Sequence, residues 1–245
     1  ASDVYKRQVP SSFRIARQLL SRLEDENTGE IKLKELHTDI PEHRISETEV
    51  FVDVLGEEVV HEFPWQDKTR PSTEDLFEGV LRRTWRPALS VVGANGLPPS
   101  ENAGNVLRPY TKLQLSIRIP PMVDPVLAQN IIVTRLTENV PYSATVEVDP
   151  EEAAAGWNAP KTSEWLELAI KKASLNFFEE RDCSMSEGGT IPFMAMLGEK
   201  YPEAQFVITG VLGPNSNAHG PNEFLHIPYA KKLTCCIASI INDFN

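Results

Sequence analysis

The chain has 245 residues, 41% hydrophobic and 24% charged, which is enough to bury a substantial core in one or two domains. Its formal charge of -11 argues against general binding to nucleic acid, which needs clustered Lys and Arg to displace counterions from phosphates. Three cysteines, with Cys235 and Cys236 adjacent, cannot build a disulfide framework and suit a reducing, cytoplasmic compartment. No run approaches the roughly 18 consecutive apolar residues of a membrane span.

Asp3 to Gln8 looks like translated sequencing-adapter DNA. Residues 1–8 are therefore expected to be non-native and the chain to be the distal part of a longer product; a real, polar, disordered terminus is the other reading. Ser12 is a candidate cap for a helix whose apolar stripe is Ile15, Ala16, Leu19, Leu20 and Leu23, ending before the turn Asn27-Thr28-Gly29. Ile31 and Leu33 alternate with charged neighbours as in a short strand, and Ser46 to Leu55 reads as a helix stopped by Gly56. Phe63 to Pro71 is a loop with an aromatic anchor. Ser72 opens the next helix, with Leu76, Phe77, Val80 and Leu81 inward. Arg86 to Val92 reads as a strand, Gly93 to Gly104 as an exposed loop.

The clearest period-two pattern follows: Leu113, Leu115, Ile117 and Ile119 on one face, Lys112, Gln114, Ser116 and Arg118 on the other. Asp124-Pro125 starts a helix with Ala128, Ile131, Ile132 and Leu136 inward, and Val146 and Val148 alternate in one more strand. Residues 9–150 thus read as a small α+β domain, an antiparallel sheet with helices on one face. The linker is Asp149 to Lys161, rich in Glu, Ala, Pro and Gly. Beyond it, 151–245 reads as part of an α/β domain: an amphipathic helix through Trp165, Leu166, Ala169, Ile170, Ala173 and Phe177, a short helix from Pro192, a buried strand at Phe206 to Ile208 and a final helix striped by Ala230, Leu233, Ile237, Ile240, Ile241 and Phe244.

Between that strand and the final helix lies Gly213 to Glu223, a rigid polar loop carrying His219 at an expected strand end, where open α/β sheets place ligands. On spacing alone, a single histidine between Ala and Gly is more often a hydrogen-bonded loop residue than a metal ligand. The surrounding words are more specific. Asn217-Ala218-His219-Gly220-Pro221-Asn222-Glu223, with Glu187-Gly188-Gly189-Thr190-Ile191-Pro192 upstream, resembles the carnosinase, aminoacylase and glutamate-carboxypeptidase family of two-metal peptidases.

The resemblance implies a dimerisation or lid domain at 9–150 followed by the carboxy-terminal part of a catalytic domain. It implies that His219 binds one of two divalent metal ions, zinc or alternatively manganese or cobalt. It matches Arg118, in Leu115-Ser116-Ile117-Arg118-Ile119-Pro120-Pro121, to a small-domain arginine that grips the substrate's terminal carboxylate, work suited to a planar guanidinium. Asn105 matches a polar residue that reaches the neighbouring subunit's site in dimeric members, where an amide can donate to a developing oxyanion; a plain turn beside Gly104 is the other reading. Gly188, Gly189 and Thr190 would let backbone N–H groups approach a carboxylate closely.

A two-metal peptidase needs ligands that hold both ions about 3.5–4 Å apart and a general base for the attacking water. The family's other ligands and its base have no counterpart here, since Glu151-Glu152 and Glu179-Glu180 read as solvated surface charge. The family's His-Ser-Gly element, expected just before Val9-Pro10-Ser11-Ser12-Phe13, is replaced by the adapter-like residues. His37, His43 and His61 read as surface histidines, and His226 as a helix-start residue outside the ligand set. The implied activity is hydrolysis of a peptide amide bond by a dipeptidase or carboxypeptidase acting on small peptides with a free carboxylate, as a homodimer, with this chain alone an inactive fragment. The alternatives are an N-acyl amino acid deacylase with the same chemistry and a non-catalytic dimerisation module.

Overall fold

The computed structural model describes residues 2–6, 8–61, 63–188 and 192–244. Its elements are α1 (Ser2–Tyr5), α2 (Ser12–Leu20), α3 (Glu42–Leu55), α4 (Glu58–His61), α5 (Leu76–Thr84), β1 (Ala88–Asn95), β2 (Lys112–Arg118), α6 (Pro125–Thr137), α7 (Glu164–Phe177), α8 (Pro192–Lys200) and α9 (Ile227–Asn242). By their contacts the residues form two compact units: Ala1–Pro41 with Glu57–Trp157 and Ser186–Pro192, and Glu42–Gly56 with Asn158–Met185 and Phe193–Asn245. The sequence suggested two successive blocks, 9–150 and 151–245. The units instead interleave along the chain. The Arg44 guanidinium on α3 donates to Asn158 Oδ1 at 3.3 Å and to the Ala159 carbonyl at 2.6 Å, which ties α3 to the start of the second stretch.

In the first unit, the apolar stripe of α2 makes the core. Ile15, Leu19 and Leu23 are buried with Ile31, Leu33, Leu36, Val123, Ala128 and Leu136, and the inward faces of β1 and β2 pack on them through Leu89, Leu115 and Ile117. β1 and β2 pair antiparallel from Ala88 opposite Arg118 to Asn95 opposite Lys112, with a register shift between Val91 and Gly93. A bulge of this kind leaves one residue unpaired and breaks the in–out alternation, so Val91 and Val92 are both exposed. α6 starts as expected: Asp124 Oδ1 accepts the backbone N–H of Val126 and Leu127 at 2.8 and 2.9 Å, with Pro125 in the first turn. At its other end, Arg22 donates to the carbonyls of Arg135, Glu138 and Asn139 at 3.1, 2.6 and 2.7 Å. That satisfies acceptors which a helix end leaves without intrahelical partners.

Several expectations need correction. Ser11, not Ser12, is the N-cap residue of α2; the Ser12 hydroxyl lies 2.8 Å from Thr111 Oγ1 instead. Ile31 makes only an isolated bridge with Glu24, and Val146 and Val148 join no ladder although both pack on the core. Burial of alternate side chains is thus kept there without a hydrogen-bonded neighbour. The Trp65 indole donates to the Val60 carbonyl at 2.9 Å but stays exposed, so it anchors the loop without entering a core. α5 is capped by Asp75 and not opened by Ser72: Asp75 Oδ1 accepts from Phe77 and Glu78 N–H at 2.9 and 3.2 Å. Replacing Asp75 with Ala is expected to cost about 1 kcal/mol in urea denaturation, and Ser72→Ala to cost nothing measurable.

In the second unit, α7 and α9 bury Leu166, Ala169, Ala173, Cys236 and Ile240 against one another, flanked by Ile170, Phe177 and Phe178. Small Ala169 and Ala173 let the helices approach, and the Cys236 thiol reaches the Ala173 carbonyl at 3.5 Å. Ile241 and Phe244 are exposed, so the stripe is narrower than the sequence suggested, although the Phe244 ring lies 5.2 Å from that of Trp165. The expected buried strand at Phe206 to Ile208 is absent among the described residues, and Val207 and Ile208 are 42% and 57% exposed. A strand needs neighbours to satisfy its backbone, and the β1–β2 ladder does not include this segment. Burial, and next the Cys235 neighbour, push the Cys236 thiol up; burial, and next Asp182, do the same to Cys183. Because the thiolate is the nucleophile, exposed Cys235 is expected to react with iodoacetamide at pH 7.5 well before the other two, as peptide mass mapping would read.

Candidate functional site

The loop that carries His219 is closed at its base, where the His226 N–H donates to the Leu212 carbonyl at 2.7 Å and the Phe224 N–H to the Ser216 carbonyl at 3.1 Å. Ser216 is buried, its hydroxyl donating to the Gly213 carbonyl at 2.6 Å. Higher in the loop the Asn217 amide donates to the Pro221 carbonyl at 2.6 Å, and Gly220 N–H returns to the Asn217 carbonyl at 2.9 Å. Asn215, Asn217, His219 and Asn222 all have left-handed backbones, with φ of 59°, 54°, 61° and 60°. Asn and His both adopt that region more often than most residues, although any non-glycine residue there is uncommon. His219 is held by Glu223, whose Oε2 accepts the His219 backbone N–H at 2.6 Å.

The result is an imidazole exposed at the tip of a cross-braced loop. Imidazole is a common ligand for zinc and its neighbours, so the donor chemistry of His219 fits a divalent metal as one ligand of a set. Among the described residues, no group of three or more His, Cys, Asp and Glu side chains is arranged to hold an ion. Glu223 is the contributor that sequence reasoning passed over. It stood in the motif without a role, and its spacing of four residues from His219 was the available signal. Glu223→Ala removes the acceptor of the His219 backbone N–H and is expected to speed hydrogen exchange at that amide, as mass spectrometry of the loop peptide would read.

His226 is the N-cap of α9, its Nδ1 accepting the Tyr229 N–H at 3.1 Å. That bond occupies one ring nitrogen. His37 is exposed with Nε2 2.7 Å from the Ile31 carbonyl. His43 departs from the expected surface position: its Nε2 is enclosed, with no hydrogen-bond partner among the described residues. The side chain of His61 lies outside the described ones. Glu151, Glu152, Glu179 and Glu180 are all exposed.

Arg118 ends β2 with its side chain exposed. Asn105 lies in the exposed loop after a 3-10 turn at Ser100–Asn102, and its Oδ1 accepts from Lys6 Nζ. Gly188 sits against α5: a Cβ built there would lie 2.2 Å from the Arg83 carbonyl oxygen, a distance no side chain can occupy. Gly189 and Thr190 lie outside the described residues. The first unit thus holds Asn105, Arg118 and Gly188, and the second holds His219. A cavity of about 400 Å³ lined by Arg22, Lys32, Leu33, Arg135, Glu138 and Asn139 includes none of these candidates.

No family model matches the chain. A cysteinylglycine-S-conjugate dipeptidase from Corynebacterium striatum is 27% identical over 156 residues, 60% of this chain and 33% of that protein. In sequence the chain is thus similar to part of a dipeptidase. The fold agrees, with TM-scores of 0.68 against human carnosine dipeptidase 1 and 0.70 against the di-peptidase Dug1p of Saccharomyces cerevisiae, each 18% identical. The M20 family metallo-carboxypeptidase Sso-CP2 of Sulfolobus solfataricus gives 0.69 at 16% identity. Each comparison covers 98% of this chain but only 50–54% of the solved structure. The chain therefore spans about a third of the curated relative and about half of these solved structures.

Proposed function

We propose that this chain contributes to a metal-dependent hydrolase that cleaves the amide bond of small peptides bearing a free carboxylate, as a dipeptidase or carboxypeptidase. The observation that carries the reading is the coincidence of a dipeptidase relative in sequence with a metallopeptidase fold over 98% of the chain. His219 holds one of two divalent ions, zinc being the best suited to an imidazole ligand. A metal pair of this kind supplies activation of water and polarisation of the amide carbonyl. The protein's own residues bind and orient: Arg118 pairs with the substrate carboxylate through two parallel hydrogen bonds, backbone N–H groups of the loop entered at Gly188 support that carboxylate, and Asn105 donates to the oxygen on which charge develops.

One ligand cannot fix two ions, and the described residues bring no cluster of ligands together. The chain by itself is accordingly expected to be inactive, with the other ligands and the general base supplied from outside it. The first unit, with its exposed Val91 and Val92 at the bulge of β1, is proposed to pair with a second copy. The free thiols Cys183, Cys235 and Cys236 suit a reducing compartment such as the cytoplasm. None of the helices among the described residues is long and apolar enough to cross a membrane.

The test is to express the complete product of the gene that encodes this chain and assay dipeptides, longer peptides and N-acyl amino acids with zinc, manganese or cobalt. Cleavage of dipeptides or of carboxy-terminal residues is expected, with amide-capped substrates cut far more slowly. A preference for N-acyl amino acids would move the activity to a deacylase. No metal-dependent cleavage of any of them would leave only a binding role.

A further inference from the structure

The segment Ser186 to Gly188 follows α7 in the sequence, yet its contacts place it with the first unit. Two features explain this. Trp85, the C-cap residue of α5, is 3% exposed, and its indole N–H donates to the Ser186 hydroxyl at 3.1 Å. Two residues later Gly188 lies so close to the Arg83 carbonyl oxygen that a Cβ would come within 2.2 Å of it. The end of α5 thus grips the segment at two points, one a directional hydrogen bond and the other a close approach that only glycine permits. A buried indole N–H needs a partner. Ser186 supplies it from 101 positions away in sequence.

We propose that Trp85 and Ser186 are positioning residues for substrate recognition: they fix the start of the loop entered at Gly188 to the unit that carries Arg118, so both elements assigned to the substrate carboxylate ride on one body while His219 belongs to the other. This rests on the substrate role proposed above for Gly188. Fixing Gly188 to the unit that carries Arg118 reduces the freedom that carboxylate recognition would otherwise lose on binding. Neither residue touches the reacting atoms. Their loss should act on binding and not on the chemical step.

The test uses Ser186→Ala, which removes only a hydroxyl, with Trp85→Phe as a second variant that keeps an aromatic ring and Ser186→Thr as the conservative control. In this chain, hydrogen exchange of peptides covering Ser186 to Gly188 should speed up in the Ala and Phe variants and stay at the wild-type rate in the Thr variant. In the complete gene product, KM for a dipeptide with a free carboxylate should rise about fivefold, the scale of one lost hydrogen bond, with kcat retained and the Thr variant restoring KM. KM for the amide-capped analogue should not move. Unchanged exchange in both Ser186→Ala and Trp85→Phe would overturn the tether. Faster exchange with unchanged KM, in an enzyme that does discriminate free from capped carboxylates, would overturn the positioning role while leaving the proposed activity intact. A wild-type enzyme indifferent to the carboxylate would remove the substrate role of Gly188, and this proposal with it.

Discussion

Replacing His219 with Ala in the complete gene product is expected to reduce dipeptide hydrolysis by roughly a thousandfold or more, beyond the 10–100-fold that losing a group which merely orients a ligand costs. His219 is carried by a cross-braced loop. Its bracing runs through Ser216, Asn217 and Glu223, and none of those bonds uses the imidazole: the Glu223 carboxylate accepts the backbone N–H of residue 219, not a ring nitrogen. Alanine keeps that N–H, though it meets the left-handed backbone, φ 61°, less well than glycine would. His219→Gly is therefore the companion variant, removing the ring without backbone strain. Both should melt within a few degrees of wild type, since an exposed loop residue away from the core contributes little to stability. Equal inactivity of the two variants with an unchanged fold would identify the imidazole as what matters. Full activity in either would exclude His219 as a ligand.

Leu23→Ala is expected to have the largest effect on stability, about 3 kcal/mol, the sum of lost apolar burial and of the cavity left behind. Leu23 is 1% exposed and packs among Ile15, Leu19, Ile31 and Leu33. It stands where the chain turns back after α2: the Lys32 N–H donates to its carbonyl at 2.7 Å, and the Glu30 carbonyl accepts the Asp25 N–H at 2.8 Å. Those backbone bonds hold the site open and limit collapse around the smaller side chain. For a chain of this size the loss corresponds to a fall in the thermal midpoint of about 6–12 °C. Leu97→Ala, at a residue 47% exposed in the loop after β1, should change the midpoint by no more than about 1–2 °C. Calorimetry of both variants checks the pair, and similar shifts in the two would mean that the core is not where the burial places it.

Parts of the fold were legible because the information is local. Asp124-Pro125 ahead of a helical stripe, and strict alternation from Lys112 to Ile119, each specify an element within about ten residues, and α6 and β2 lie there. Caps were ambiguous for a local reason too: Ser72, Thr73 and Asp75 compete, and the winner depends on which backbone N–H groups the first turn exposes. Asp75 takes two of them, while Thr73 Oγ1 accepts the Asp75 N–H at 3.2 Å. Phe206 to Ile208 and Val146 to Val148 carry strand-like composition, but a strand is a statement about neighbours, and their apolar character alone does not supply them. The same limit hid the grip of Trp85 on Ser186, which no periodicity could connect. At the candidate site, the motif singled out His219 as the proposed ligand, whereas the carboxylate that fixes its backbone became visible only as a distance.

The most direct test of the proposed account is the metal content of the complete gene product, measured by mass spectrometry of the bound elements beside its hydrolysis of a dipeptide. Two divalent ions per polypeptide are expected, with hydrolysis lost on chelation and regained on adding zinc, and with fewer ions retained by the His219→Ala variant. Hydrolysis that survives complete removal of the metals, or an unchanged metal content without His219, would contradict it.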